Sequence, residues 1–481
     1  MGRDYQREGD AGTRRGIWKL SQRANRWPKA QRRRALRAVL WSSALWAAGS
    51  AVSASFILRY WIQDLGARGT VLAWIMALPA VLGVLRMATG YLVALAGSAR
   101  RLYLGASLLA YGLLASLAGL ALPWWDFDSP WPLVWFVALL TVHQVVEHIA
   151  GVGYWSWLGE VVPRRMRGRF FGLRHRVQLL VAVPAGLGTS WALDWWRSAA
   201  PQAHWPMSWG YSAAVVAGAG LFLVSLVPLW LWVPGAPAAL EPAQVARRWL
   251  EPLRDRRFRR LLWFAAWFSL ANGITQAAQG RLPYVLGVQL VWLSAMRTYL
   301  KLGQGALARW AGALCDRWGN RPVMLAGQVL VATSMLFYCV ALGGNWWWLW
   351  GGWTAWIFYV GINVGLPSLM LKLAPEEQRA TYLGTYWAVS GIVFAAASML
   401  GGVLLDTLGQ EATWVLVRLG LEGFGALFLL GFLLRLGAAW WLWRLEEPQA
   451  SPLAAFLRRL LGLVPRQAPV PAAAGYPEGE S

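Results

Sequence analysis

The chain is short of acid. Its 481 residues hold 22 Asp and Glu against 45 Lys and Arg, a formal net charge of +23. Charge of either sign is scarce, at 14% of residues, where soluble domains carry about 25%. That excludes an ordinary water-facing surface. Cysteine is nearly absent: Cys315 and Cys339 build neither a disulfide framework nor a metal centre. Strand-like alternation is missing, which argues against a β-barrel. No Gly-x-x-x-x-Gly-Lys-Ser/Thr loop is present, which argues against a primary pump, and no Ser or Cys nucleophile motif stands out. An enzyme is therefore not expected, and neither a cofactor nor a bound metal. No short apolar core with a cleavage site opens the chain, because residues 1–35 are polar and basic.

What is present is apolar. Hydrophobic residues make up 57% of the chain, in recurring runs of bilayer-crossing length, about 20 residues. The expectation is an all-α integral membrane protein. Twelve spans fit, near 36–58, 69–93, 101–122, 132–158, 175–195, 209–233, 261–285, 292–312, 321–342, 346–371, 381–405 and 420–443. An even number returns both termini to one side. The connecting segments alternate in charge, and 35 of the 45 Lys and Arg fall on that side. Basic residues gather on the cytoplasmic face. The sequence thus predicts cytoplasmic termini in the plasma (inner) membrane, with anionic lipid headgroups, not nucleic acid, as partner of the basic segments. The 36 Trp read as interfacial anchors near span ends.

The densest charge is Pro163-Arg164-Arg165-Met166-Arg167-Gly168-Arg169, and it has an echo. At an offset of 212 residues Pro163, Arg167, Gly172 and Asp194 recur as Pro375, Arg379, Gly384 and Asp406. At an offset of 222, Gly90, Leu92 and Gly97 recur as Gly312, Leu314 and Gly319. A repeat this long predicts two similar membrane halves. The expected organisation is a basic tail 1–35, bundle 36–233, basic linker 234–260, bundle 261–445 and tail 446–481. The composition predicts that this last tail is partly disordered, with Leu453–Val464 a candidate short surface helix.

The run Gly312-Ala-Leu-Cys-Asp316-Arg317-Trp-Gly319-Asn-Arg321 resembles the signature loop of the major facilitator superfamily. The Pro-x-x-x-Arg-Gly/Ala-x-x-x-Gly loops after spans four and ten are also similar to it. The resemblance covers about residues 36–445. It implies twelve helices in two pseudo-symmetric six-helix bundles that rock around a central cavity to move a small solute. It implies a cytoplasmic gate built from Gly312, Asp316, Arg317, Gly319 and Arg321 with Arg167 and Arg379. The first copy has Ala94 and Leu95 where the family has Asp and Arg.

Ionisable residues inside spans are expensive and functional by default. Span four carries His143 and Glu147 at i,i+4, with Glu147 the acid placed deepest and the candidate proton carrier. Span eight carries Lys301 near its middle, a candidate anion contact, and Arg297, which reads as reaching toward the outer surface. Span seven offers Asn272, Gln276 and Gln279, and span ten Asn363; these amides either bond solute or join helices. Arg86 and Arg309 precede the glycine of each signature loop. Their setting is similar to the paired arginines of nitrate/nitrite porters, but a bracing role at the gate is favoured. The reading is a secondary transporter of a small, candidate anionic, solute with protons as candidate coupling ion. The alternative is a non-transporting receptor or scaffold on the same fold.

Overall fold

The computed structural model describes residues 28–122, 125, 129–162, 167–235, 251–373, 375, 379–408, 423–445 and 447. The tail 1–27, the middle of the expected linker and the segment Leu453–Val464 lie outside them. Among the described residues the chain forms helices and no strand.

These helices line up as twelve rods. α1 is Lys29–Val52 continued by Ser55–Asp64. α2 is Gly69–Val81, a 3-10 stretch Leu82–Ala88 and Thr89–Leu95. α3 is Ala99–Ser116 with a 3-10 end Leu117–Ala121. α4 is Trp131–Val161, α5 Arg167–Ala199 and α6 Met207–Trp232. α7 is Arg256–Gly273 with Gln276–Val285, and α8 is Leu290–Trp318. α9 is Asn320–Ala332 with Ser334–Ala341. α10 runs from Trp346–Trp348 through Leu349–Ile357 to Tyr359–Leu373. α11 is Arg379–Leu408 and α12 Phe424–Trp443.

Seven described segments are long and apolar enough to cross a membrane. The rods that fall short are α2, α5, α7, α8 and α10, which are interrupted or carry polar residues. Broken or polar helices are tolerated at membrane depth where they face protein or a cavity instead of lipid. In the first bundle α1 packs on α5 and α6, and α3 on α4 and α6. In the second, α7 packs on α11 and α12, and α9 on α10 and α12. The bundles meet where α2 lies on α11 and α5 on α8.

The repeat is visible in the backbone. Gly97 and Gly319 both have positive φ, +70° and +91°, at matching ends of the signature loops. Gly66 and Gly287, +86° and +64°, make the turns into α2 and α8. Glycine adopts such φ without a Cβ clash. Beyond each turn a carboxylate from the opposite bundle caps the helix. Asp194 of α5 accepts from the N–H groups of Leu290 at 2.8 Å and Val291 at 2.7 Å. Asp406 of α11 accepts from those of Gly69 at 2.7 Å and Thr70 at 2.8 Å, and from the Thr70 hydroxyl at 2.6 Å. Free N–H groups and the positive end of the helix dipole both favour a carboxylate there. A third link crosses the same end: Tyr284 of α7 donates to Asp64 of α1 at 2.7 Å, and Asp64 also accepts from Tyr211 and Arg197. This is the clamped end of the molecule.

The opposite end is arginine-rich. The second signature loop is held by Glu447, just past α12, which accepts from Asn320 Nδ2 at 2.7 Å, the Arg321 N–H at 2.8 Å and Lys372 Nζ at 2.9 Å. Burial raises the Glu447 pKa, but these donors outweigh it and hold the carboxyl below its ordinary value.

Candidate functional site

Between the bundles lies a cavity of about 530 Å³. Its floor in α7 follows from local sequence: the helix stops at Gly273 and restarts at Gln276, so Asn272, Gln276 and Gln279 project beside the break. α8 supplies Arg297 and Lys301 one turn apart, and α1 supplies Arg59 and Tyr60. Tyr338, Trp353, Trp356 and Tyr359 form an aromatic flank from α9 and α10. Arg435 of α12 completes the wall. Arg59, Arg297, Lys301 and Arg435 are thus four cations on a wall that bears no carboxylate.

The cations are not equivalent. Arg435 is 1% exposed and tied to Gly431 O, Asn272 Oδ1 and Thr275 Oγ1 at 3.1 Å each. Asn272 also accepts from Tyr359 at 2.6 Å and donates to Phe268 O at 2.8 Å. Both of its polar atoms are used, so Asn272 binds helices together. Gln279 spends its amide on Thr275 at 2.7 Å. Arg297 and Lys301 have no carboxylate within ion-pair distance among the described residues. Both line the cavity.

A second cavity, about 430 Å³, continues from the first into the α1–α6 bundle. The two share Arg59, Met76, Gln276 and Arg297. His143, Gln144, Glu147 and His148 line it. His143 Nδ1 lies 2.8 Å from Ala110 O, and its Nε2 lies 3.5 Å from Glu147 Oε2. A carbonyl only accepts, so Nδ1 carries the hydrogen. In the neutral ring Nε2 is then a bare lone pair facing a carboxylate. The two side chains thus meet at the cavity edge.

Glu147, Lys301, Asn272 and Gln276 are therefore brought together around one joined space. Asn363 is exposed, one turn beyond Tyr359 along α10, off both walls. Arg309 is exposed on α8, about 12 Å of helix rise past Lys301. Arg86 sits in the 3-10 stretch of α2, and its side chain is outside the described residues, as are those of Arg167 and Arg379. Asp316 and Arg317 are exposed, while Gly319 turns the chain into α9 and Arg321 donates to Leu445 O at 3.1 Å. Arg297 departs from its expected place: it lines the cavity instead of reaching to the surface. Arg59 was missed because the first span was expected to end at residue 58. The signal was there, an arginine inside the apolar run Phe56-Ile-Leu-Arg-Tyr-Trp-Ile62.

Known proteins share this architecture. A structure of a D-xylose–proton symporter superposes with a TM-score of 0.63 at 14% identity, over 86% of this chain and 97% of that one. A structure of the nucleoside transporter NupG gives 0.59 at 11% identity, over 86% of this chain and 98% of that one. Residues 289–470 match the sequence profile of the Major Facilitator Superfamily. Over that stretch, less than half of its length, the chain is similar to members of the major facilitator superfamily. An uncharacterized MFS-type transporter, YfiU of Bacillus subtilis (strain 168), is 30% identical over 179 residues, 34% of this chain. That stretch spans about a third (32%) of the relative's length. That match and seven described helices long and apolar enough to cross a membrane fit a multi-pass membrane protein.

Proposed function

We propose that the protein is a secondary transporter that moves an organic anion by alternating access, with a proton carried by the His143–Glu147 pair. The observation that carries this reading is the cation-lined wall. Arg59, Arg297, Lys301 and Arg435 face one cavity without a carboxylate on it. A guanidinium offers a planar fork of donors that suits carboxylate or phosphate oxygens. About 530 Å³ falls within the usual range for small-molecule sites, about 300–1,000 Å³. The aromatic flank gives the apolar part of the solute a surface to lie on.

The clamped end faces outward and the arginine-rich end faces the cytoplasm of a bacterial inner-membrane protein, following the basic-residue asymmetry. In this arrangement the outer side is shut by Asp194, Asp406 and Asp64. Asp316, Arg317 and Arg321, with Arg167 and Arg379, close the inner side in the alternate state. The first six rods and the last six act as the rocking units, joined by the basic linker around 234–260. Asn363, Arg86 and Arg309 serve the inner route and the gate, away from the bound solute. A thermal-shift screen of purified protein against anionic, neutral and cationic metabolites tests the reading. Stabilisation by anions, lost in Arg297→Gln, is expected; stabilisation by cationic solutes alone overturns it. A receptor or scaffold reading rests on Ala94 and Leu95 in the first signature loop. It is favoured if Asp316→Asn leaves cellular function untouched.

A further inference from the structure

A third cavity lies inside the first bundle, away from the solute space. It holds about 150 Å³ and is walled by Ser42, Ser43, Tyr103, Tyr111, Tyr154 and Arg174, with Gly151 and Trp155 beside them. It and the solute-side cavity have one residue in common, Glu147. A single carboxyl therefore forms part of two separate walls. On the solute side it meets His143 at 3.5 Å. On the inner side it meets a lining rich in hydroxyl groups.

We infer that this inner cavity is a proton vestibule, a hydrated pocket through which Glu147 exchanges protons with the cytoplasm without passing through the solute site. The inference rests on the proposed role of Glu147 as proton carrier. Three observations support it. First, the volume suits a few waters, each needing about 30 Å³ and two to four polar partners. Hydroxyls from α1, α3 and α4 supply those partners. Second, the cavity runs the right way. From Glu147 to Tyr154 and Trp155, α4 rises about 11 Å toward the arginine-rich end. Trp155 is exposed there, and Arg174 stacks on it and on Tyr154 at 5.6 and 5.5 Å. Third, the far wall is fixed, since Arg174 Nε donates to Ser43 Oγ at 2.8 Å. That bond ties α5 to α1.

The proton balance is simple. A proton held on His143 Nε2 passes to a Glu147 oxygen, leaving neutral imidazole and a neutral carboxyl. The carboxyl O–H then breaks to vestibule water, which hands the proton to the cytoplasm and leaves the carboxylate. The reverse sequence loads a proton from inside. The charged and titratable groups around Glu147 are Arg59 and Arg297 on the solute side, His143 and His148 on its own helix, and Tyr103, Tyr111, Tyr154 and Arg174 on the vestibule side.

Cysteine accessibility tests the vestibule. In a Cys315→Ser/Cys339→Ser background, Ser43→Cys and Gly151→Cys are reacted with silver ion and with 2-aminoethyl methanethiosulfonate, in vesicles of each orientation. A Cβ at Gly151 meets nothing within 4 Å, so that variant disturbs packing least. Trp155→Cys serves as the exposed control. Infrared difference spectra between pH 5 and pH 8.5, compared with Glu147→Gln, report the carboxyl directly. Support is a Glu147 band in the spectra together with thiol reaction at least tenfold faster from the cytoplasmic face. A Glu147 band with both thiols inert to silver, or reactive only from the outer face, overturns the vestibule and leaves the transporter reading standing. Absence of the band overturns the vestibule and the proton-carrier role together.

Discussion

At the clamped end the two bundles do the same thing. Asp194 caps Leu290 and Val291, and Asp406 caps Gly69 and Thr70, each with both carboxylate oxygens engaged. Halfway down, the two bundles do different things. The first brings His143, Gln144 and Glu147 to its cavity wall; the second brings Arg297, Lys301 and amides to its own. Under the proposed alternating access, closing that end would need the same contact on each side of the pseudo-twofold axis, while binding a solute between the bundles would not. The duplicated frame is symmetric at its clamped end and diverges at its cavity walls.

The sharpest break in that comparison is removal of a cation from the second wall. Arg297→Gln should weaken anion binding about 10- to 100-fold, as expected for losing a charged hydrogen bond of about 1.5–3 kcal/mol, measured by titration calorimetry. Lys301→Gln should cost less, because ammonium lacks the bidentate fork. On the first wall, Glu147→Gln should leave binding nearly intact and flatten the pH dependence of uptake. A single titrating proton changes rate by up to about tenfold per pH unit, and that slope should vanish.

The clamps come next. Asp194→Asn and Asp406→Asn should each weaken the closed outer end by about 1 kcal/mol, about fivefold in population, the usual worth of a helix N-cap. Spin-label distances across that end should shift alike in the two variants. Unequal shifts would break the symmetry that the hydrogen bonds display. The smallest effect is at the inner end. Glu447→Gln should lower the melting temperature by a few degrees at neutral pH, about 1 kcal/mol. The folded pKa of Glu447 is depressed, so its contribution is full above the ordinary value of 4.5 and is lost as pH falls through the depressed value. The difference between wild type and variant should close below about pH 4.5.

Much of the frame could be read from the sequence because hydropathy and repetition are properties of single segments. The offsets linking Asp194 to Asp406 and Gly97 to Gly319 reappear as matching caps and matching positive φ. The site was less legible, because a cavity wall depends on helix phase and on where a helix breaks. Arg297 read as a surface-seeking arginine until the rotation of α8 was known. Asn272 read as a candidate solute contact, yet Tyr359 and Arg435 occupy it. Glu447, assigned to the tail, caps the second signature loop through a contact 126 residues away in sequence. No local pattern announces such a partner.

Solute uptake by proteoliposomes, wild type beside Arg297→Gln, tests the central claim most directly. Accumulation of anionic solutes by the wild type, stimulated by a proton gradient and lost in the variant, is the expected result. Uptake confined to neutral or cationic solutes, or unchanged by removal of the Arg297 charge, would contradict it.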